Sequence, residues 1–452
     1  MITGCWPTRD ARLCGMSSRN SRANFVFLLA EKIVNLLAVA AVNIVVLRSL
    51  GPDEFGYLGA ATAVLAITLP LSLFGQVALV RFYAEKSASE SQLLRVAVLF
   101  SVVGSLLGFI ALVVSAHYIF RTGPSGGLLL ILSLAMLARP FSAVDFWFQA
   151  TKQNSTAALC RTASILASSI GRMVVALTTQ SLWLLACIVV LENLIAGVLL
   201  TAAYLVRRRS STHSVLLPSR SAPFSAILRV SLPLLAYSFM VILYMRIDQP
   251  MLLVLSDSRE VGLYSAAANL SDAMSFLPTA LLTAVLPGLV ALNLTDRASF
   301  EGKSDSLFRL AAGLGYLVGM GGIALGPLIV GVLYGPDFEE TGVLVQILFC
   351  GAPFLFLGVL RTVWILTEGL HFEALVSAVG AVLLNIGLNL FLIPHYGAVA
   401  AATTTVLAHI FNGILGNLFF RKTRGLFLRQ MRALIPWRSL ATVYAVLRWR
   451  RI

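Results

Sequence analysis

Ten ionisable residues stand inside long apolar stretches of this chain: Glu31, Lys32, Arg139, Asp145, Arg172, Glu192, Arg246, Asp248, Asp272 and Arg361. Each costs about 2.5–3.5 kcal/mol at the centre of a bilayer, so five acids and five bases facing lipid would be untenable. They must pair, face a bundle interior or line water. Two kinds of chemistry are open to them. Guanidinium groups fixed in a low-dielectric cavity attract anions, phosphate oxygens above all. Carboxyl groups there can bind and release a proton or a cation, and so bias a two-state equilibrium.

Other chemistry finds little support. His117, His213, His371, His395 and His409 show no metal-ligand spacing, and the five cysteines fit neither a disulfide framework nor a metal site. There is no phosphate-binding loop, nucleophile elbow or catalytic carboxylate pair. An enzyme is not expected, and no cofactor is implied.

The elements that must position the ten charges are membrane helices. Of 452 residues 58% are apolar and only 12% charged, against about 45–50% and about 25% in soluble domains. So little charge cannot cover a soluble protein of this size. About twelve stretches are long and apolar enough to cross a bilayer. They lie near 25–47, 58–80, 93–117, 127–150, 155–178, 181–205, 228–255, 262–291, 308–333, 341–366, 372–393 and 398–420, and we number them spans 1 to 12. A basic, Ser-rich linker over 206–227 separates a six-span half, 25–205, from a second, 228–420. Tails of 1–24 and 421–452 flank them.

The net charge of +14, with a pI near 10.0, would suggest nucleic acid in a soluble chain. Its placement says otherwise. With the N-terminus inside, the outer loops hold only Arg48, Arg121 and Arg259, while most other basic residues fall in the tails and inner loops. That is the positive-inside pattern, with both termini cytoplasmic. A weak repeat relates the halves: Gly56-Tyr57-Leu58-Gly59-Ala60-Ala61 opens span 2, and Gly262-Leu263-Tyr264-Ser265-Ala266-Ala267 opens span 8. Two halves of six spans share one orientation, so an axis relating them runs along the membrane normal.

Helical phase assigns faces at about 100° per residue. In span 5, Arg161, Ser164, Ser168, Arg172 and Thr179 form one stripe. In span 8, Ser265, Asn269, Asp272, Thr279 and Thr283 form another, and in span 4 Arg139, Ser142, Asp145 and Gln149 share a sector. Ser and Thr stripes alone read as interhelical packing. Two arginines on one stripe turn span 5 toward a wet, anion-attracting cavity. Glu192 reads equally as a protonated structural acid and as an ion-coupling site. Span 7 aligns Tyr237, Tyr244 and Asp248 but sets Arg246 on the opposite face. Glu31, Lys32 and Arg361 stand near enough to the inner interface to snorkel.

Several motifs resemble a known family. Leu50-Gly51-Pro52-Asp53-Glu54-Phe55-Gly56-Tyr57 is similar to the first outer loop of O-antigen-type polysaccharide flippases. Arg246-Ile247-Asp248-Gln249 followed by Val261-Gly262-Leu263-Tyr264-Ser265-Ala266-Ala267 resembles their span 7–8 signature. Leu333-Tyr334-Gly335 and Leu384-Asn385 through Leu392-Ile393-Pro394-His395-Tyr396-Gly397-Ala398 resemble later ones. The family is part of the multidrug/oligosaccharidyl-lipid/polysaccharide exporter superfamily. The resemblance implies an all-α polytopic membrane protein, two six-helix bundles around a central cavity, in the bacterial cytoplasmic membrane. It implies flipping of an undecaprenyl-diphosphate-linked oligosaccharide. The implied partners are that lipid-linked oligosaccharide, membrane lipids, a proton or sodium coupling ion, and a polysaccharide polymerase with its chain-length machinery, with no nucleic acid. Arg139, Arg161, Arg172 and Arg246 would then meet the diphosphate and acidic sugars, with Tyr237 and Tyr244 offering faces to sugar rings. Asp145, Glu192, Asp248 and Asp272 are the ion-coupling candidates. The alternative is a drug/cation antiporter of the same superfamily, which would want an acidic, aromatic cavity. A membrane glycosyltransferase would want a large outer loop, and the outer loops are short.

Overall fold

The computed structural model describes residues 18–84, 90–120, 123–151, 153–210 and 224–449. Among them the helices are α1 (Ser18–Ser72), α2 (Gln76–Ala84), α3 (Glu90–Tyr118), α4 (Ser125–Ala138), α5 (Asp145–Ala150), α6 (Asn154–Thr178), α7 (Leu182–Ser210), α8 (Phe224–Arg246) and α9 (Asp248–Leu255). They continue with α10 (Ser258–Met274), α11 (Phe276–Thr295), α12 (Arg297–Tyr334), α13 (Thr341–Cys350), α14 (Ala352–Glu368), α15 (His371–Gly413), α16 (Arg421–Ala433) and α17 (Pro436–Trp449). Most of the linker, 211–223, lies outside the described residues, as do 1–17 of the N-terminal tail.

Nine described helical segments are long and apolar enough to cross a membrane, and Thr341–Cys350 with Ala352–Ile365, bent by 49°, makes a tenth. Two of the nine, Glu31–Ser72 and His371–Leu418, have 42 and 48 residues. As straight helices they would run about 63 and 72 Å, twice a hydrocarbon core of about 30 Å. Each is instead broken once, at Gly51 (φ 73°) and at Gly397 (φ 50°), where only glycine avoids a Cβ clash. Counted on both sides of those breaks, the described residues hold twelve segments long enough to cross. The second begins at Pro52 and ends at Ser72, and α2 follows a turn at 73–75; the expected span 58–80 is therefore set too late.

Several spans are interrupted beside a polar residue. Span 4 passes through a 3₁₀ segment, Arg139–Val144, with Pro140 in its first turn. Span 7 breaks between Arg246 and Asp248, and span 8 at Ser275. The described part of the tail, 421–449, holds two helices, α16 and α17, which pack against α12.

Within the first half, α1 packs on α3, α4 and α6, and α7 on α4 and α6. Within the second, α12 packs on α13 and α14, and α15 on α8, α13 and α14. The halves meet through α1 against α8, α9 and α10, and through α2 against α8. At the Gly51 and Gly397 end a single apolar core joins them, running from Val46 and Phe55 to Tyr264, Phe338 and Ile393. At the other end there are two separate cores. One lies around Phe146 and Phe148 with Ile227 of α8, the other around Phe300, Phe356 and Trp364. The molecule is sealed at one end and divided at the other.

The seal is reciprocal. A Cβ on Gly56 would lie 1.8 Å from the carbonyl oxygen of Ser258, and one on Gly262 would lie 1.9 Å from that of Pro52. The repeat aligns Gly56 with Gly262, and the same offset aligns Pro52 with Ser258. Equivalent positions of the two halves thus contact each other across a pseudo-two-fold axis, and each glycine admits the other half's backbone. Polar contacts reinforce the crossing. Arg48 donates from Nε to the Leu333 carbonyl at 2.7 Å and from Nη2 to that of Val332, at the C-terminus of α12, where carbonyls are free. Ser258 Oγ donates to Asp53 Oδ1 at 3.2 Å.

Candidate functional site

Below the seal, a cavity of about 320 Å³ separates the halves. The first half supplies Asn43, Thr62 and Arg172, and the second Arg246, Gln249, Asn269 and Asp272. A second cavity of about 460 Å³ shares Ala66 and Arg246 with it. This one runs toward the divided end between Pro70–Gln76 and the α8 face of Ser231, Leu234, Ser238 and Ile242. Its walls are mostly apolar. The polar chemistry is concentrated at the top, around two arginines.

Both arginines are held by acids. Arg246 Nη2 donates to Asp272 Oδ2 at 2.6 Å, bridging α8 and α10. Arg172 is ion-paired with Glu192, bridging α6 and α7, and Ser168 Oγ donates to the same carboxylate oxygen at 2.7 Å. The Nε of Arg172 is buried with no hydrogen-bond partner among the described residues. Each guanidinium is positioned by an anion that satisfies only part of it.

Span 7 resolves the conflict on its two faces. At about 100° per residue, Arg246 faces the cavity and Asp248, two residues on, faces the second bundle. There Asp248 is wholly buried and accepts from Tyr264 Oη at 2.8 Å and Thr405 Oγ1 at 2.5 Å on one oxygen. Its other oxygen accepts from Asn389 Nδ2 at 2.5 Å. Asn389 contacts Asn385 Oδ1 at 3.2 Å and takes a hydrogen bond from Thr404 at 2.5 Å. This cluster ties α9, α10 and both arms of α15 together. Asn385 and Asn389 lie one helical turn apart, a spacing visible in the sequence; that Asp248 meets them is not.

The remaining expected site residues are distributed as follows. Arg161, 40% exposed, pairs with Asp145 at 2.8 Å, and Asp145 also accepts from Gln76 and Gln149 at 3.0 Å. This cluster sits toward the divided end. Arg139, at the 3₁₀ break, lines a small space with Gln76, Ser101 and Ser142 inside the first bundle. Its Nε has no partner among the described residues, and Glu192 is within electrostatic reach. Ser164 and Ser168, between the two arginines of span 5, are buried, so of that stripe Arg172 lines the cavity.

Three expectations are corrected. Tyr244 is buried within the second bundle, accepting from Asn412 Nδ2 at 3.2 Å with the His409 ring edge-on at 5.7 Å. Tyr237 lies beside Thr362 and Arg361. Neither faces the central cavity, because both share the Asp248 side of span 7. Arg361 does not snorkel: it is 1% exposed and donates to Asn417 Oδ1 at 2.7 Å, the Asn412 carbonyl at 2.8 Å and Ser377 Oγ at 3.0 Å. Neutral acceptors at the ends of spans 11 and 12 take the place of water.

The family profile described as "Polysaccharide biosynthesis protein" matches residues 45–342. The chain belongs to that family. The match covers both arginines, Asp248, Asp272 and the reciprocal glycines. Among curated proteins, the probable flippase AglR of Haloferax volcanii is 30% identical over 165 residues, 34% of this chain and 33% of that one. The match thus spans about a third of the length of that curated relative. Among solved structures, an inward-facing multidrug resistance MATE family transporter of the MOP superfamily superposes with a TM-score of 0.65 at 14% identity. That superposition covers 88% of this chain and 96% of the transporter. The lipid II flippase MurJ, in an inward closed conformation, gives 0.64 at 16%, covering 90% and 91%. The all-helical polytopic fold of the described residues is therefore the one these two proteins share.

Proposed function

We propose that this member of the polysaccharide biosynthesis family flips an undecaprenyl-diphosphate-linked oligosaccharide across the cytoplasmic membrane by alternating access. The observation that carries the reading is the pair of acid-held arginines, Arg172 and Arg246, facing one cavity from opposite halves. A diphosphate has oxygens enough to engage both, and guanidinium forks suit it. The apolar walls of the lower cavity leave the lipid tail free to stay in the bilayer while the head group crosses. Halves of 25–205 and 228–420 would rock about the glycine crossing, with both termini and the divided end in the cytoplasm as the basic residues direct. The curated relative named as a probable flippase accords with this reading.

The acids give the site its selectivity. Each acid neutralises part of its arginine, so an arriving anion competes with Asp272 and Glu192 for the guanidinium donors and loosens their hold. A freed carboxylate becomes the group that a proton or cation can occupy. The Asp248 cluster, with Asn385, Asn389, Thr404 and Thr405, is the second candidate for coupling: it joins the helices that must move together, and its oxygens suit a proton or sodium. A cationic drug would be disfavoured by Arg246, which stands at the junction of both cavities.

The test is a proteoliposome assay with the lipid-linked oligosaccharide, read by its accessibility to an external lectin. Arg172→Ala and Arg246→Ala should each slow appearance on the far face at least tenfold, while Asp272→Asn should tighten binding of inorganic diphosphate to the purified protein. Unchanged flipping in both arginine variants would overturn the reading. Asp248→Asn should remove dependence on the ion gradient, and retained dependence would move coupling elsewhere.

A further inference from the structure

The C-terminal helices α16 and α17 line neither of the two central cavities. From Arg421 to the end of the chain there are nine Lys or Arg residues and no Asp or Glu. In α16, Thr423, Leu426, Gln430 and Ala433 are buried. Arg421, Arg424, Leu428, Met431 and Arg432 are exposed, on one opposite face at about 100° per residue. In α17, Ser439 and Val443 pack where α12 has Gly313, while Trp437 and Tyr444 are 72% and 65% exposed. Arg438 is exposed beside them.

The packing is fixed from the other side. Arg429 pairs with Glu301 at 2.6 Å and Asp305 at 2.7 Å and stacks over Trp364; Tyr316 Oη donates to the Leu434 carbonyl at 2.6 Å. The inner face is satisfied by the bundle. The outer face is less so: Arg424 donates to the Leu418 carbonyl at 3.2 Å and Lys422 reaches Glu373 at 3.8 Å, but Arg421, Arg424, Arg432 and Arg438 have no acidic partner among the described residues. Large apolar side chains are interleaved with these arginines, an arrangement that water alone does not favour. Helices of 13 and 14 residues are about 20 Å long, too short to cross a core of about 30 Å. They follow the last span directly, which sets them at the membrane edge.

We propose that α16 and α17 lie in the membrane interface and bind the headgroups of anionic phospholipids. Leu428, Met431, Trp437 and Tyr444 would enter the acyl boundary, and Arg421, Arg424, Arg432 and Arg438 would take the phosphates. An apolar stripe with Trp and Tyr beside arginines is the composition of an interfacial helix, and the absence of acids selects a negative surface. This inference is independent of the substrate carried.

The test uses the full-length protein purified in detergent and titrated with phosphatidylglycerol or phosphatidylcholine, with bound lipids resolved by native mass spectrometry. Phosphatidylglycerol should bind at least tenfold more tightly. The preference should vanish in the quadruple variant Arg421→Gln, Arg424→Gln, Arg432→Gln, Arg438→Gln and survive when the same positions become Lys. Should the Gln variant melt early, the wild type in 1 M salt gives the same reading, and loss of the preference there supports the proposal. Quenching by brominated phosphatidylglycerol should remove the fluorescence that differs between wild type and Trp437→Phe. Equal binding of both lipids, a Gln variant that keeps the preference, an unquenched Trp437, or tighter retention of RNA than of phosphatidylglycerol would each overturn it.

Discussion

The reciprocal glycine crossing makes a sharp prediction about the conformational equilibrium. Gly262→Ala places a methyl group 1.9 Å from the Pro52 carbonyl oxygen and 2.7 Å from its carbon. Real contacts of this kind stay above 3.0 Å, so the two helices must separate by more than an ångström. Both clashing atoms are backbone, and no side chain can rotate away. Overpacking of this kind costs about 1–3 kcal/mol. The cost falls on the sealed state alone if that end opens in the other state. The equilibrium should then move toward opening by about 5–150-fold. Gly56→Ala meets the Ser258 carbonyl at 1.8 Å and should do the same. The double variant should fall short of the product, since both changes act on one contact.

The assay is the reactivity of a cysteine at Ser265, which faces the cavity directly beneath Gly59, in a background lacking the other cysteines. An impermeant maleimide is applied from the Gly51 side only. In the parent the site is shielded by the crossing; with Gly262→Ala its labelling rate should rise by the factor above. Gly288→Ala, with open space around its Cβ, serves as the control and should change nothing. If Gly262→Ala is folded and expressed yet labels no faster than the control, the crossing is not the gate, and the two-state argument built on it fails.

Other perturbations test the charges one at a time. Arg172→Lys should retain only part of the flipping activity, because a single ammonium cannot replace a planar fork on Glu192 and a phosphate together; full activity would show that charge alone suffices. Arg361→Met should lower stability by about 3 kcal/mol or more, at about 1–3 kcal/mol per buried polar group left unpaired, and leave diphosphate binding unchanged. The check is thermal melting in detergent alongside binding of diphosphate. Asp248→Leu orphans the Tyr264, Thr405 and Asn389 donors and should melt well below Asp248→Asn, which keeps the shape; equal melting would mean the cluster carries no stability. Hydrogen bonds from Arg297 and then Arg429 hold the Glu301 carboxyl below its ordinary range. A carboxyl lowered on folding contributes stability above its unfolded value, lost as pH falls through the folded one. Protection factors for hydrogen exchange in α16, corrected for the intrinsic pH dependence of amide exchange, should therefore be flat from neutral pH to about 5 and fall below about 4, and a fall already at pH 6 would point to another group.

Much of the fold is legible in the sequence because membrane spans are set by length and composition, which act locally. Faces are legible too: the opposition of Arg246 to Tyr237, Tyr244 and Asp248 follows from helical phase and holds. What phase cannot supply is the identity of the element that each face meets. Read alone, Tyr244 beside a charged residue suits a sugar platform, yet that side of span 7 packs on α15, and the ring is closed in by Asn412 and His409. Arg361 lies close to an interface in sequence, but Asn417, Ser377 and the Asn412 carbonyl reach it first, and these come from elements 16 to 56 residues away. The breaks at Gly51 and Gly397 are hidden for a different reason. Glycine is common in these spans, and only the backbone dihedral separates a hinge from a packing contact. The repeat around Gly56 and Gly262 is the most informative case. As sequence it is two short matches; as structure it is the place where each half presents its glycine to the other's carbonyl. An internal symmetry that weak can persist because the contact it encodes needs only a missing side chain on each side. The same economy makes it testable by adding a single methyl group.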